Sequence, residues 1–306
     1  MLDALENVIE PLYYAVSAIL LGWHWVWTEA GLPDDSGWNW ALSIVGLTVV
    51  VRVALIPLFV KQIKSSRNMQ MLQPKVKDLQ KKYGHDRERL AQETMALYKD
   101  AGTNPFASCL PILLQAPIFF ALFRVINVAV GDDPRGLGLL SDTDAANLKG
   151  AKLLGALIAD TFLETTLTST RILTALLVVL MTATTFTTQR QLMRKNMPES
   201  ALTGPYAQQQ KMLLYVLPVA FGFGGIFFPI GVLLYWTTSN LWTMGQQFYV
   251  IRNNPAPGTP AFEAKRQRDI KKGKVVDVEP ETPVKSVDKV RRQPKKTSRS
   301  QRRSGS

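Results

Sequence analysis

Residues 212–251 read MLLYVLPVAFGFGGIFFPIGVLLYWTTSNLWTMGQQFYVI, 40 positions without one charged side chain. An α-helix needs about 20 apolar residues to cross some 30 Å of hydrocarbon, so this block is long enough for two crossings. Its middle, Gly222-Phe223-Gly224-Gly225 to Pro229, carries the turn chemistry for a tight helical hairpin. The next 55 residues, 252–306, hold 22 charges. A chain with such neighbours is a membrane protein with polar attachments, although its mean hydropathy of +0.02 conceals this.

Three further apolar stretches of similar length lie upstream: Trp40 to Val60, Pro105 to Ala129 and Ile172 to Gln189. The expected fold class is therefore an all-α polytopic membrane protein with a five-span helical core. Its spans are placed at 38–60, 105–129, 171–189, 212–228 and 229–251. Residues 8–27 are also long enough to cross, but Tyr14, Ser17, His24 and Thr28 form a weak polar stripe at helical spacing. Within an N-terminal region 1–37, they read as an amphipathic helix on the outer face, with Trp23, Trp25 and Trp27 near the headgroups; a sixth span is the alternative.

Charge placement orients the chain. Lys plus Arg number 0 in residues 1–51, 10 in 61–104, 3 in 129–170, 4 in 190–211 and 16 in 252–306. Basic loops stay in the cytoplasm, which puts 61–104, 190–211 and the tail inside and 130–170 outside. An outer N-terminus agrees with Asp3, Glu6 and Glu10 and with the lack of a basic start, so the N-terminus is expected to be retained. The expected location is a bacterial cell membrane, with the C-terminus cytoplasmic.

Residues 61–104 read as an antiparallel helical hairpin. Met69, Leu72, Val76, Leu79 and Tyr83 recur at spacings of three and four, as do Leu90, Thr94, Leu97 and Ala101. Tyr83-Gly84-His85-Asp86 supplies the turn, with Gly84 available for a left-handed cap. Pro74 should kink or restart the first arm. Such an arm is either a solvated hairpin or a mobile element that receives other chains. The tail, 252–306, is rich in proline and basic residues and is expected to be disordered. Its basic clusters suit anionic lipids, or ribosomal RNA if the protein works during translation.

Arg52 is the residue that most constrains function. It sits near mid-depth of the first span, where an arginine costs about 2.5 to 3.5 kcal/mol on insertion scales. The five expected spans contain no Asp or Glu to pair with it. Gln115, Thr185, Gln189, Ser239 and Asn240 could instead gather around it as a wet, positively charged cavity in the inner half of the bilayer. Such residues can also bond their own helix backbones. Enzyme signatures are absent: there is no P-loop, His-Glu-x-x-His or Cys-x-x-Cys, and Cys109 stands alone. No catalytic residue, metal or cofactor is expected. An anion or small-solute transporter is the competing reading of a positive cavity, although no inverted repeat is visible.

These residues resemble the YidC/Oxa family of membrane protein insertases. The carriers are Arg52-Val-Ala-Leu-Ile-Pro57, Met71-Leu-Gln-Pro-Lys75 with Leu79-Gln-Lys-Lys-Tyr-Gly84, Asn104-Pro105 with Cys109-Leu-Pro111, Gln115-Ala-Pro-Ile-Phe119, and Leu234-Tyr-Trp-Thr-Thr-Ser-Asn240 with Gln246-Gln247. They span roughly residues 9 to 250 in family order. The long tail is similar to that of actinobacterial members, and the large periplasmic domain of Gram-negative relatives has no counterpart. The resemblance implies a groove open to cytoplasm and lipid and closed to the outside. Arg52 matches the groove arginine, Thr48 a groove-lining threonine, Tyr235 and Trp236 client-contacting aromatics, and Gln115 and Phe119 the facing span. It also implies nascent membrane protein clients, with the protein acting alone or beside the Sec translocon.

Overall fold

The computed structural model describes residues 2–102, 110–131, 133–197 and 205–274. Cys109 and most of the Asn104-to-Pro111 motif lie outside the described residues, as does the tail beyond Lys274. The described chain is mostly helical. Helices α1 (Leu2–Glu29), α2 (Gly37–Ala54), α3 (Ile56–Tyr83), α4 (Arg87–Asp100), α5 (Leu110–Ala129) and α6 (Asp142–Gly150) come first. A small antiparallel ribbon follows, β1 (Lys152–Leu153) paired with β2 (Ala156–Leu157). Then come α7 (Thr168–Lys195), α8 (Pro205–Gly225), α9 (Ile230–Asn253) and α10 (Pro260–Lys271). The ribbon is a departure from an all-helical chain; its tight turn has positive φ at Leu154 (52°) and Gly155 (79°), as a two-residue hairpin turn requires.

By length and mean hydropathy, α2 and α7 are helices fit to cross a membrane, and Gln115–Ala129 and Leu214–Gly225 are shorter apolar helices. The expected first span, 38–60, is divided. α2 ends at Ala54, Leu55 turns at φ −86° and ψ −4°, and α3 starts at Ile56 with Pro57 in its first turn. The cause is Pro57, which has no N–H to extend the ladder of α2. α7 and α8 run past their apolar segments into the basic region between them, because backbone hydrogen bonding does not stop where side-chain polarity changes.

The basic region after α2 forms two helices joined by three residues, and α3 packs on α4. Two details differ from expectation. α3 runs through Pro74 without interruption, and Gly84 is right-handed (φ −60°, ψ −21°) rather than a left-handed cap. The turn is made instead by Asp86, whose carboxylate accepts the Arg89 N–H at 3.0 Å and caps α4. Lys82 and Arg89 both lie over the Tyr83 ring, at 4.8 and 5.0 Å. The seam is shallow: Val76 is buried, Ala101 is exposed, and α4 buries no residue.

One end of the bundle is filled. Trp40, Ile44 and Leu47 of α2, Leu122 and Ile126 of α5, and Ile230 and Leu233 of α9 are fully buried together, with Ile158 of the α6–α7 segment among them. That segment also completes α9: the Ile230 and Gly231 N–H groups donate to the carbonyls of Asp160 (3.2 Å) and Ile158 (3.0 Å). Both donors would otherwise be orphans at a helix start. Gly37 lies so close that a Cβ there would meet the Lys152 carbonyl at 2.2 Å. The ribbon is thus seated on the start of α2 without space for a methyl.

α1 packs along α2 and α5, with Trp23 against Gly46 and the His24 ring 4.1 Å from that of Trp40, and it hydrogen-bonds to this same end at two places. The Ser17 hydroxyl accepts from the Leu139 N–H at 2.8 Å, and Asn39 Nδ2 donates to the Thr28 hydroxyl at 2.9 Å. Eleven residues of helix separate these points, roughly 16 Å of rise.

The beginning of the tail is ordered, which corrects the expectation of disorder from residue 252. Asn196, buried after α7, accepts the Ala256 N–H through Oδ1 at 2.9 Å, and Ala256 and Thr259 are buried. The Thr259 hydroxyl accepts from the Phe262 N–H at 3.3 Å at the start of α10. Proline at the first position, Glu263 in the first turn and Arg268 and Lys271 in the last are helix signals that high charge and proline content obscured.

Candidate functional site

At the other end the helices part around a cavity of about 610 Å³. Arg52 reaches it from the last turn of α2, only 8% exposed. Its guanidinium lies 5.7 Å from the centre of the Phe59 ring, and its Nε has no hydrogen-bond partner among the described residues. No carboxylate there pairs with it. A stripe on α9 forms the longest wall: Tyr235, Trp236, Ser239 and Asn240, continued by Thr243, Gln246, Gln247 and Val250. These positions recur every three to four residues, which keeps them on one helical face.

α5 contributes Gln115, Phe119 and Phe120, and α7 contributes Gln189 and Leu192, with Asn196 just beyond its end. The Gln115 amide hydrogen-bonds the Tyr235 hydroxyl, joining α5 to α9 beneath the cavity wall. Phe119 packs against Trp236 with ring centres 5.4 Å apart, and Trp236 meets Phe221 of α8 edge-on at 4.9 Å. The wall is therefore aromatic on one side and rich in amides on the other. Besides Arg52 Nε, Gln115 Oε1 is buried without a partner among the described residues. Buried polar atoms need water or another polar partner, so the cavity is suited to water and to polar or anionic chain segments.

Of the residues read from the sequence, Arg52, Gln115, Phe119, Gln189, Tyr235, Trp236, Ser239 and Asn240 line this cavity. Thr48 and Thr185 do not. Thr48 is fully buried and its hydroxyl donates to the Ile44 carbonyl one turn back, at 2.7 Å. Thr185 likewise donates to the Met181 carbonyl at 2.8 Å and accepts from Asn240 Nδ2 at 3.0 Å. It positions a lining residue instead of lining. Thr182, Thr184 and Thr188 are also bonded to carbonyls of their own helix. Sequence reading missed Phe59, Gln62 and Ile63 of α3, because Phe59 was read only as apolar filling of the first span, 38–60, and 61–104 was assigned wholly to a cytoplasmic arm. The signal was available: Arg52, Phe59 and Ile63 are spaced by seven and four.

Comparison with known proteins places the chain in a family. A family described as 60Kd inner membrane protein matches residues 31–257. A membrane protein insertase YidC from Streptomyces avermitilis is 47% identical over 277 residues, covering 87% of this chain and 64% of the relative. The chain belongs to the YidC/Oxa family. Another YidC, from Tropheryma whipplei strain Twist, is 36% identical over 283 residues, covering 88% of this chain and 91% of the relative. The YidC of Mycobacterium tuberculosis strain H37Rv is 32% identical over 265 residues, covering 79% and 72%. Among solved structures, an active YidC insertase crystal structure with the first transmembrane domain resolved aligns at a TM-score of 0.48 and 24% identity. That alignment covers 77% of this chain and 46% of that one. The chain thus spans just under two thirds of the length of its Streptomyces relative.

Proposed function

We propose that this YidC/Oxa family member is a membrane protein insertase that accepts client segments from the cytoplasm into the Arg52 cavity and releases them sideways into lipid. The observation that carries this reading is Arg52 itself, buried with no carboxylate partner among the described residues in a cavity walled by amides on one side and aromatics on the other. A short acidic client tail supplies the missing negative charge. At about 4 Å and an effective dielectric near 20, such a pair attracts by roughly 4 kcal/mol before desolvation, enough for a transient hold. The amides solvate the client's polar tail. Its apolar segment then leaves along the aromatic side, driven by burial in hydrocarbon. Release from the chain's own residues requires no group transfer.

The five spans of this reading are α2, α5, α7, α8 and α9, with the packed end outside and the cavity end inside. Charge distribution supports that orientation. α1 then lies at the outer interface: both of its anchor points, near Ser17 and near Thr28, belong to the packed end. A helix crossing the bilayer would carry one of them roughly 16 Å deeper. A cysteine at Leu2, probed with an impermeant reagent, should label in intact cells; labelling only after lysis would make α1 a sixth span.

Reconstitution into protein-free liposomes tests the main reading. The purified chain should insert a short single-span client without added nucleotide, while an anion or small-solute flux without insertion would favour the transporter reading. Nascent membrane protein clients, the Sec translocon and the ribosome are the partners proposed, with anionic lipids at the basic segments. α3 and α4 are proposed as the capture arm, supported by their shallow seam and exposed Met71 and Met95. Deleting residues 75–99 should lower insertion about tenfold while thermal unfolding of the remainder stays within a few degrees. Normal insertion would reduce the arm to a solvated attachment.

A further inference from the structure

A second cavity, of about 390 Å³, lies between α7 and α8 on a different face of α7 from the Arg52 site. Arg190, Arg194 and Lys211 surround it, over Phe186, Leu214 and Tyr215. Leu214 is buried, while Tyr215 is 59% exposed and its ring stands 6.1 Å from that of Phe186. Neither α7 nor α8 contains an acidic residue, so each helix brings cations to the cavity without compensation. Arg190 and Arg194 are one turn apart on α7 and follow its apolar run directly; Lys211 immediately precedes the apolar run of α8. All three cations therefore sit at one border between charged and apolar surface. Outward along the same helices, Val179, Val216 and Val219 are exposed and apolar.

From this juxtaposition we propose that the α7–α8 cavity binds an anionic phospholipid, with its phosphate held by Arg190, Arg194 and Lys211 and its acyl chains lying along Tyr215 and the exposed valines. Two guanidinium groups and an ammonium suit a phosphodiester bearing one negative charge, and basic cavities between membrane helices at headgroup depth hold such lipids. The apolar strip contiguous with the cations favours a whole lipid over a free anion. A neutral zwitterionic lipid would bring its own cation into a cavity that already has three. The site shares no lining residue with the Arg52 cavity, and it rests on the proposed reading only in taking α7 and α8 as spans.

The full chain in a neutral detergent is titrated separately with phosphatidylglycerol, phosphatidylcholine and inorganic phosphate, and bound lipid is measured by native mass spectrometry. Phosphatidylglycerol should be retained in preference to phosphatidylcholine, and inorganic phosphate at matched concentration should not displace it. R190Q/R194Q/K211Q should weaken phosphatidylglycerol binding on the order of a hundredfold, given the attraction contributed by each basic residue. The charge-retaining R190K/R194K/K211R should stay within about threefold of the parent, as should a control, K265Q/R266Q/R268Q. Unchanged binding in the glutamine triple overturns the proposal, as does equal loss in the control. Displacement by inorganic phosphate also overturns it, assigning the cavity to a free anion. If the glutamine triple does not fold, R190Q and K211Q alone should each weaken binding about fivefold, and no change in either is equally decisive against it.

Discussion

Arg52→Ala should lower insertion of clients with acidic N-terminal tails by about tenfold, and of clients with neutral tails by less than about twofold. The first figure corresponds to about 1.4 kcal/mol, the part of the Arg52–carboxylate attraction left after both charges lose water. Arg52→Lys should keep most activity toward acidic clients, within about threefold, since the charge remains while the planar donor fork and its stacking on Phe59 are lost. Protease protection of inserted client in reconstituted vesicles measures all three. Stability separates this effect from simple damage. Arg52 has an unpartnered Nε and no acidic partner among the described residues, so the folded protein gains little from its charge. Removing it should leave the melting temperature unchanged or raise it, as replacing costly buried charge often does. Equal loss for acidic and neutral clients, or a variant that melts well below its parent, would remove the electrostatic step.

The helical character of the chain and most of the cavity lining are legible in the sequence because both follow from one-dimensional signals. Uncharged runs of membrane length mark the helices, and the stripe from Tyr235 to Gln247 marks one face of α9. Arg52 stands out because its span contains no other charge. What could not be read was decided by geometry. Thr48 and Thr185 resemble lining residues in composition, yet a hydroxyl in a helix finds a carbonyl one turn back, and this choice leaves no trace in spacing. The break at Leu55 was signalled by Pro57, but only the fold shows that it brings Phe59 and Gln62 to the cavity. The Ala256 N–H is received by Asn196, 60 residues earlier, a pairing that leaves no local signal. The cap over the packed end depends likewise on pairings between the α6–α7 segment and α9 that local sequence does not encode.

That cap sets up the second large effect: Gly37→Ala should destabilise the protein by about 2 kcal/mol, against the sign of helix propensity. Gly37 is the first residue of α2, and alanine within a helix is ordinarily favoured by about 0.5 to 1 kcal/mol. Here the added methyl would meet the Lys152 carbonyl carbon and oxygen at 2.2 Å and the Leu153 nitrogen at 2.6 Å. These are backbone atoms, so no rotamer change relieves the clash, and overpacking of this kind costs about 1 to 3 kcal/mol or more. The ribbon must lift from α2, which loosens Ile158 and the carbonyls that complete the start of α9. Gly22→Ala provides the matched control, since Gly22 lies within α1 with open space where its Cβ would be. It should leave stability unchanged or raise it by up to about 1 kcal/mol. Thermal unfolding in detergent should separate the two variants by several degrees, and limited trypsin digestion at Lys149 or Lys152 should quicken in Gly37→Ala alone. Insertion of acidic clients should fall less than in Arg52→Ala, because the lesion lies at the end opposite the cavity. If both glycine variants melt together and cut at the same rate, the ribbon is not what holds that end closed.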